Sequence, residues 1–260
     1  MIFLSFDTEE FDLPCEKGVE YNTLKDGMNV SKFGTERILE ILSEKSVKAT
    51  FFCTSNFVSS APEIVRRVMK EGHEIASHGC NHWKPQIGDA TRSKKIIEDI
   101  LGVELYGYRQ PRMLSVDNNE LAACGYRYNA SLNPTFIPGR YSHYFSSRTP
   151  WVEDSIVQIP ASVSPCFRIP MFWLGLHHYP FKIYLWLMNK TIKHDNHFNT
   201  YFHPWEFYPL NNHQELKISS FVRRRSGEEM CQRLKMIISH LKEKGESFGT
   251  YNEYANIIYK

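Results

Sequence analysis

The chain has 260 residues, of which 42% are hydrophobic and 23% are charged, a composition that is typical of a globular protein and excludes disorder. Its formal net charge of +2 is too close to zero to predict a nucleic-acid partner, and we interpret the one basic run, Arg223 to Arg225, as a solvated face. A chain of this length accommodates one α/β domain, so we expect residues 1–260 to fold as a single domain.

Several features predict a cytoplasmic protein. The six cysteines form no C-x-x-C pair and are expected to be reduced, structural thiols. Met1 is followed by an apolar run and then by acidic residues, without the basic start and cleavage site of a secretion signal. The most apolar stretch, Met171 to Met188, which includes the Phe172 to Trp186 region, contains two histidines, a proline and a lysine, so we expect burial rather than a membrane span. The alternative is an interfacial helix that contacts the inner face of the membrane.

Strand-like runs alternate with amphipathic helical runs, the pattern of βα units around a parallel sheet or barrel. In chain order, the sequence predicts strands over 1–6, 49–53, 73–77, 105–108, 126–130, 156–159, 200–203 and 248–250. It predicts helices over 33–45, 92–101 and 117–124 between them. Two further helices have capping boxes at their starts: one begins at Ser60–Glu63 and ends at Gly72, and the other begins at Ser226–Glu229 and ends at Lys244. Seven or eight βα units result.

Polar side chains recur where the predicted strands end. In a parallel α/β barrel the catalytic groups lie at the carboxyl ends of the strands, so these side chains are expected to share one rim. The residues that this rule selects are Asp7, Glu9, His78, His82, Arg109, Asn129 and His203.

Asp7 and Glu9 are two apart on a strand, so both carboxylates are expected to face the barrel mouth. One can bind a cation while the other serves as a general base. The alternative is an acidic loop, because Glu10 and Asp12 are acidic as well.

His78 and His82 are four apart, which in a helical turn places both imidazoles on one side, a spacing suited to a tetrahedral metal. With 11 histidines in the chain, roughly 0.4 such pairs arise by chance, so the pair gains its weight from its position after a strand. Cys80 lies off the shared face and is interpreted as structural.

Two histidines and a carboxylate leave positions on a metal for water and for a substrate oxygen, and zinc is the default metal. Non-haem iron for oxygen chemistry is the alternative with the same ligands. Hydrolysis of an amide or ester also needs a base, an oxyanion stabiliser and an acid. His203 is a candidate for the acid, and a structural histidine is the alternative.

Five segments together resemble the polysaccharide deacetylase family, carbohydrate esterase family 4, and follow the order found there over nearly the whole chain. They are Ser5-Phe6-Asp7-Thr8-Glu9, His78-x-x-x-His82, Arg109-Gln110-Pro111, Tyr128-Asn129-Ala130-Ser131 and Tyr201-Phe202-His203-Pro204-Trp205-Glu206. The first and last segments resemble one branch, which is associated with exopolysaccharide or glycan-precursor pathways.

The resemblance implies a distorted (β/α)7 barrel and a catalytic domain over residues 1–260 that removes an N-acetyl group from an amino sugar of a polysaccharide or glycan precursor. It implies a divalent metal, with zinc as the first choice and cobalt, nickel or ferrous iron as alternatives. The implied metal ligands are Glu9, His78 and His82.

The resemblance also implies catalytic roles, with Asp7 as the base, Arg109 as the group that orients it and His203 as the general acid. The candidates for oxyanion or substrate contact are the backbone N–H of Arg112 and the side chains of Asn129 and Trp205.

Three positions depart from the family pattern. Glu9 is one residue later than the usual second aspartate, and Arg112 stands where an aromatic residue is frequent. Asn129 stands where an aspartate often tunes the catalytic histidine, and a neutral amide would stabilise the charged form of His203 less than a carboxylate. Two alternatives stay open: a hydrolase of a small non-sugar amide on the same fold, and an inactive glycan-binding homologue.

Overall fold

The computed structural model describes residues 1–259. The strands within that range are β1 Ile2–Thr8, β2 Thr50–Cys53, β3 Glu74–Ser77, β4 Gly107–Tyr108, β5 Tyr128–Asn129, β6 Phe136–Ile137, β7 Tyr141–Ser142, β8 Trp151–Glu153, β9 Ile156–Gln158, β10 Phe198–Phe202 and β11 Phe248–Gly249. The α-helices are α1 Leu13–Glu16, α2 Met28–Lys45, α3 Ser55–Ser60, α4 Pro62–Lys70, α5 Asp89–Leu101, α6 Asn118–Ala123, α7 Trp173–His178, α8 Phe181–Asp195, α9 Ser220–Arg223, α10 Glu228–Glu243 and α11 Tyr251–Ile258. Short 3-10 turns lie at Pro111–Met113 and Pro204–Phe207.

Nine strands form one curled sheet in the order β10-β1-β2-β3-β4-β5-β9-β8, and β11 pairs with the start of β1. Neighbouring strands run parallel except for the β8–β9 hairpin. Helices cover the outer face, so the predicted distorted α/β barrel is confirmed.

The curled sheet has a seam between β9 and β10, which do not pair as strands in the described chain. The segment after β9 bridges the seam through one backbone hydrogen bond, from the Ser162 N–H to the Asn199 carbonyl at 3.1 Å, and through two contacts that involve side chains. Asn199 Oδ1 accepts a hydrogen bond from the Ser162 backbone N–H at 2.9 Å, and Ser162 Oγ accepts one from the Asn199 backbone N–H at 2.9 Å. The barrel is therefore closed by polar contacts at this one edge.

The strand β1 is buried on both faces, as expected for a central parallel strand. Ile2, Leu4 and Phe6 pack in the large core between sheet and helices, while Phe3 packs in a smaller core inside the barrel. Since side chains alternate along a strand, Asp7 is on the same face as Phe3 and projects into the barrel mouth.

Two predicted capping boxes are wrong. Ser60 is the last residue of α3, and α4 begins after Ala61 without a side-chain cap. Ser226 Oγ is buried without a hydrogen-bond partner in the described chain, and Gly227 precedes α10 instead. In both places the tertiary path of the preceding loop, rather than the local pattern, determines where the helix begins.

The region from Phe172 to Trp186 forms α7 and the first part of α8. Phe172 and Leu176 are buried, as predicted, whereas Ile183 and Trp186 are about half exposed. Within residues 1–259, no helix is both long and apolar enough to cross a membrane.

Candidate active site

Asp7, near the end of β1, is a buried acidic residue of the barrel mouth and is only 3% exposed. Arg109, just after β4, donates a hydrogen bond from Nη1 to Asp7 Oδ1. Burial raises the pKa of Asp7, but the charges of Arg109, His78 and His203 together with the Arg109 hydrogen bond outweigh it and lower the pKa below the usual value. Asp7 is therefore held as a carboxylate, the form that a general base requires.

The Arg109 side chain is fixed from several directions and is 1% exposed. Its Nε donates to the Ala130 carbonyl at 3.1 Å, and Nη2 donates to Tyr251 Oη at 3.1 Å. The guanidinium lies 3.9 Å from the centre of the Phe52 ring. The geometry agrees with the predicted role of Arg109 in orienting Asp7.

Glu9, His78 and His82 converge on one point beside Asp7. Glu9 Oε2 lies 3.1 Å from His78 Nε2 and 3.5 Å from His82 Nε2, and one ligand atom from each residue lies within 4.8 Å of the others. Two ligand atoms of a tetrahedral zinc at about 2.1 Å are about 3.4 Å apart, so these distances fit a metal centre.

Outer contacts fix the orientation of both imidazoles. The Arg109 carbonyl lies 2.8 Å from His78 Nδ1, and Asp12 Oδ2 lies 2.7 Å from His82 Nδ1. Because these oxygens only accept, each Nδ1 carries a proton, which leaves each Nε2 as the atom that would bind a metal beside Glu9. A carbonyl and a carboxylate behind two histidines are typical of metal sites.

The histidine pair does not lie on a helix, so this part of the prediction is wrong. His78 directly follows β3, and the chain continues through Gly79 at φ +69° as an irregular loop to His82. Glu10 stabilises that loop, because its carboxylate accepts hydrogen bonds from the His82 backbone N–H at 3.2 Å and from Thr54 Oγ1 at 2.9 Å.

His203 follows β10 and faces Asp7 across the mouth, with Nε2 at 4.0 Å from Asp7 Oδ2. Its Nδ1 is 2.9 Å from Glu206 Oε1, and the second oxygen of Glu206 lies 2.9 Å from Nε2 of the buried His177. His177 Nδ1 in turn is 2.7 Å from the Arg224 carbonyl. The imidazole of His203 is thus anchored by a chain of buried hydrogen bonds.

Burial lowers the pKa of His203, but the Glu206 hydrogen bond and the charges of Glu9, Glu206 and Asp7 more than offset this, so the pKa is raised. For Glu206 burial raises the pKa, whereas the hydrogen bonds from His177 and His203 lower it to below the usual value. A raised pKa keeps the proton on His203 up to a higher pH than on an ordinary histidine, which suits a general acid.

Asn129, at the position where the family often has the tuning aspartate, makes its side-chain hydrogen bonds to Ser131 and Gln158, and a substrate role for it stays a prediction. Asn129 Oδ1 accepts from the Ser131 backbone N–H at 3.1 Å, and its Nδ2 donates to Gln158 at 3.1 Å. Among the described residues no hydrogen bond joins Asn129 to His203. Glu206 supplies the carboxylate, three residues after the histidine, at the spacing of a capping box.

Arg112 and Trp205 support the site from outside. Arg112 has φ +60°, donates to Glu16 at 2.8 Å and lies 3.5 Å from Asp12, so its side chain stabilises the loop beneath His82. An oxyanion role for its backbone N–H stays a prediction. Trp205 is 4% exposed and stacks on His203 with ring centres 5.0 Å apart, which makes it a support for the imidazole rather than an open substrate surface.

Sequence comparison finds similarity to known proteins in the first half of the chain. Residues 14–128 match the model described as polysaccharide deacetylase. A chitooligosaccharide deacetylase of Bradyrhizobium is 42% identical over 62 residues, which cover 24% of this chain and 27% of that protein. The aligned segments span about a quarter of the length of the first curated relatives.

Structural comparison covers nearly the whole chain. A polysaccharide deacetylase structure from Mycobacterium smegmatis has a TM-score of 0.66 at 19% identity and covers 99% of this chain and 89% of that one. An allantoinase has the same TM-score, 0.66, at 12% identity and covers 98% of this chain and 88% of that one. At these identities the likeness establishes the fold, a deacetylase-type barrel. Residues 14–128 are thus similar in sequence to polysaccharide deacetylases, and the chain shares the fold of their solved structures.

Proposed function

We propose that this protein is a metal-dependent hydrolase that removes the N-acetyl group of an amino sugar in a polysaccharide or glycan precursor. The observation that carries the proposal is the placement of an ionised carboxylate, Asp7, between a two-histidine, one-carboxylate cluster and a histidine with a raised pKa. Glu9, His78 and His82 would hold the metal. When bound, a divalent metal supplies a Lewis acid that polarises the amide carbonyl and acidifies water.

The side chains of this chain supply the proton transfers. Asp7 accepts a proton from the water that attacks the acetyl carbon, while Arg109 holds the carboxylate in position. The carbon–nitrogen bond then breaks, and His203 donates the proton that the departing amine requires. The products are acetate and the free amino sugar, and Glu206 stabilises the charged form of His203 between turnovers.

The family relationship favours a glycan substrate, and the composition gives no support for a nucleic-acid partner. Zinc is the metal we propose first, with cobalt, nickel or ferrous iron as substitutes. We further propose that the enzyme is cytoplasmic. It is either free or held at the inner face of the membrane by the exposed Ile183 and Trp186 of α8.

A small cyclic amide is the second candidate substrate class, because an allantoinase shares the fold to the same extent. The test is to assay acetate release from N-acetylated oligosaccharides, and ring opening of cyclic amides, with zinc added. Acetate release that Asp7→Asn abolishes and the exposed-site control Glu63→Gln retains supports the proposal. Ring opening without acetate release would instead assign the protein to the hydrolases of cyclic amides. Bound metal without turnover on either class would contradict both and favour an inactive glycan-binding protein.

A further inference from the structure

A cavity of about 690 Å³ lies behind the catalytic acid, outside the Asp7–His203 site. Its lining includes His178 at the end of α7, Arg223 at the end of α9, Arg224 and Arg225 just after it, and Glu229 in the first turn of α10. The Arg224 carbonyl contacts His177 on the imidazole edge opposite Glu206, so one buried side chain separates the cavity loop from the carboxylate that anchors His203.

The lining of the cavity carries an excess of positive charge. Glu229 is its one acidic residue, and it lies 2.9 Å from Arg225 Nε and 3.5 Å from Nε of the nearby Arg233. Across residues 1–259, no carboxylate lies within salt-bridge distance of Arg223 or Arg224. Two adjacent guanidinium groups are therefore left without a counter-charge beside one cavity.

Two polar atoms of the lining are buried without a hydrogen-bond partner in the described chain, Arg223 Nε and His178 Nε2. The His178 ring is held in a fixed plane, because it stacks on Phe221 with ring centres 3.8 Å apart. Buried polar groups in native proteins are nearly always paired with protein, water or a ligand. Arg223 Nε can only donate, so a ligand with an acceptor oxygen would satisfy it, while the His178 ring forms one wall of the same cavity.

We propose that this cavity is a binding site for a phosphoryl group. Guanidinium groups present planar forks of N–H donors that match phosphate oxygens in pairs, and two unneutralised arginines complement the negative charge of a phosphoryl group. The phosphoryl group belongs either to a soluble ester or to the headgroup of a lipid. Because the cavity lies outside the Asp7–His203 site, the proposal is independent of the deacetylase reaction.

Isothermal titration of the full chain with inorganic pyrophosphate tests the site, with sodium chloride at matched ionic strength as the reference. Loss of these charge-assisted contacts in the double variant Arg223→Gln and Arg224→Gln is expected to weaken binding about tenfold or more. Arg225 is left unchanged, because it donates to the His177 carbonyl and pairs with Glu229. The single variant Arg224→Gln, at an exposed position, gives a second test if the double variant unfolds.

The matched control removes two arginines elsewhere, Arg66→Gln and Arg127→Gln, and is expected to bind as the wild type does. Co-sedimentation with phosphatidylglycerol vesicles, compared with phosphatidylcholine vesicles, distinguishes a lipid headgroup from a soluble ester as the source of the phosphoryl group. Arginine-dependent vesicle binding assigns a lipid headgroup, and pyrophosphate binding without it assigns a soluble ester. Absence of binding to both probes, or equal loss in the control variant, would overturn the proposal.

Discussion

The carboxylate of Asp7 and the imidazole of His203 face each other with Oδ2 and Nε2 4.0 Å apart, at the ends of the adjacent parallel strands β1 and β10. Neither group makes a direct hydrogen bond to the other at this distance. Each is instead held from behind, Asp7 by Arg109 and His203 by Glu206. The gap between them is the place where a base and an acid can act on the same substrate.

Asp7→Asn is expected to lower kcat by about 10²–10⁴-fold, the usual contribution of a general base. Metal content should be retained, because the Glu9, His78 and His82 cluster does not include this residue. Steady-state kinetics and elemental analysis on the same sample check both parts. Turnover within a few-fold of the wild type would remove Asp7 from the role of base.

His78→Ala is expected to abolish stoichiometric metal binding, since the cluster loses the ligand with the most buried imidazole. Elemental analysis after dialysis measures this. His143→Ala, at an exposed position outside the cluster, is the matched control and should keep the metal. Equal metal content in the two variants would show that the ion binds elsewhere.

Asp12→Asn should weaken metal affinity by about 10–100-fold without removing a ligand, because it replaces the carboxylate that orients His82. Competition with a chelator gives the affinity. Glu16→Gln is the control, since Glu16 contacts Arg112 rather than a proposed ligand. A change of the same size in both variants would point to the loop as a whole instead of the Asp12–His82 contact.

Glu206→Gln should move the alkaline limb of the pH–activity profile to lower pH. His203 acts as an acid only while protonated, so activity is lost as pH rises through its pKa. The Glu206 hydrogen bond and charge raise that pKa, and their removal lowers it. Asn129→Ala should leave the limb in place, because Asn129 contacts Gln158 and Ser131. An unshifted limb in Glu206→Gln would exclude His203 as the titrating acid.

Gly34→Ala should destabilise the protein by about 1–3 kcal/mol through overpacking. Gly34 lies in α2 directly against Pro204, and an added Cβ would clash with the Pro204 carbonyl. Since Pro204 follows His203, kcat should fall as well. Urea unfolding and kinetics check the two effects, with Ser43→Ala on the exposed side of α2 as the control. An unchanged free energy of unfolding would show that the turn at Pro204 shifts enough to accommodate the added Cβ.

The alternation of strands and helices was predictable because parallel strands and amphipathic helices leave strong periodic patterns. The same rule placed Asp7, Glu9, His78, Arg109 and His203 at strand ends, where the structure has them near or just after β1, β3, β4 and β10. It could not identify which carboxylates stand behind the histidines, since Asp12 and His82 are 70 residues apart in the chain and meet only through the fold.

The contact between Glu206 and His203 differs from that between Asp12 and His82, because the local sequence contained a signal for it. A histidine followed three residues later by a glutamate has the spacing of a capping box, and the structure has that box. The two serine boxes that the sequence indicated did not form, because α3 extends through Ser60 and Gly227 precedes α10. The spacing of residues alone therefore does not show which capping boxes form.

The seam between β9 and β10 has a consequence for how sequences with this fold can diverge. The proposed catalytic and metal-binding residues all lie on or just after strands of the ladder β10-β1-β2-β3-β4, or in the loop that follows β3. The seam lies at the outer edge of that ladder, where Ser162 and Asn199 bridge the gap. Length changes at this edge therefore leave the register of the ladder unchanged, but they act on the proposed acid wherever they displace His177, which contacts Glu206.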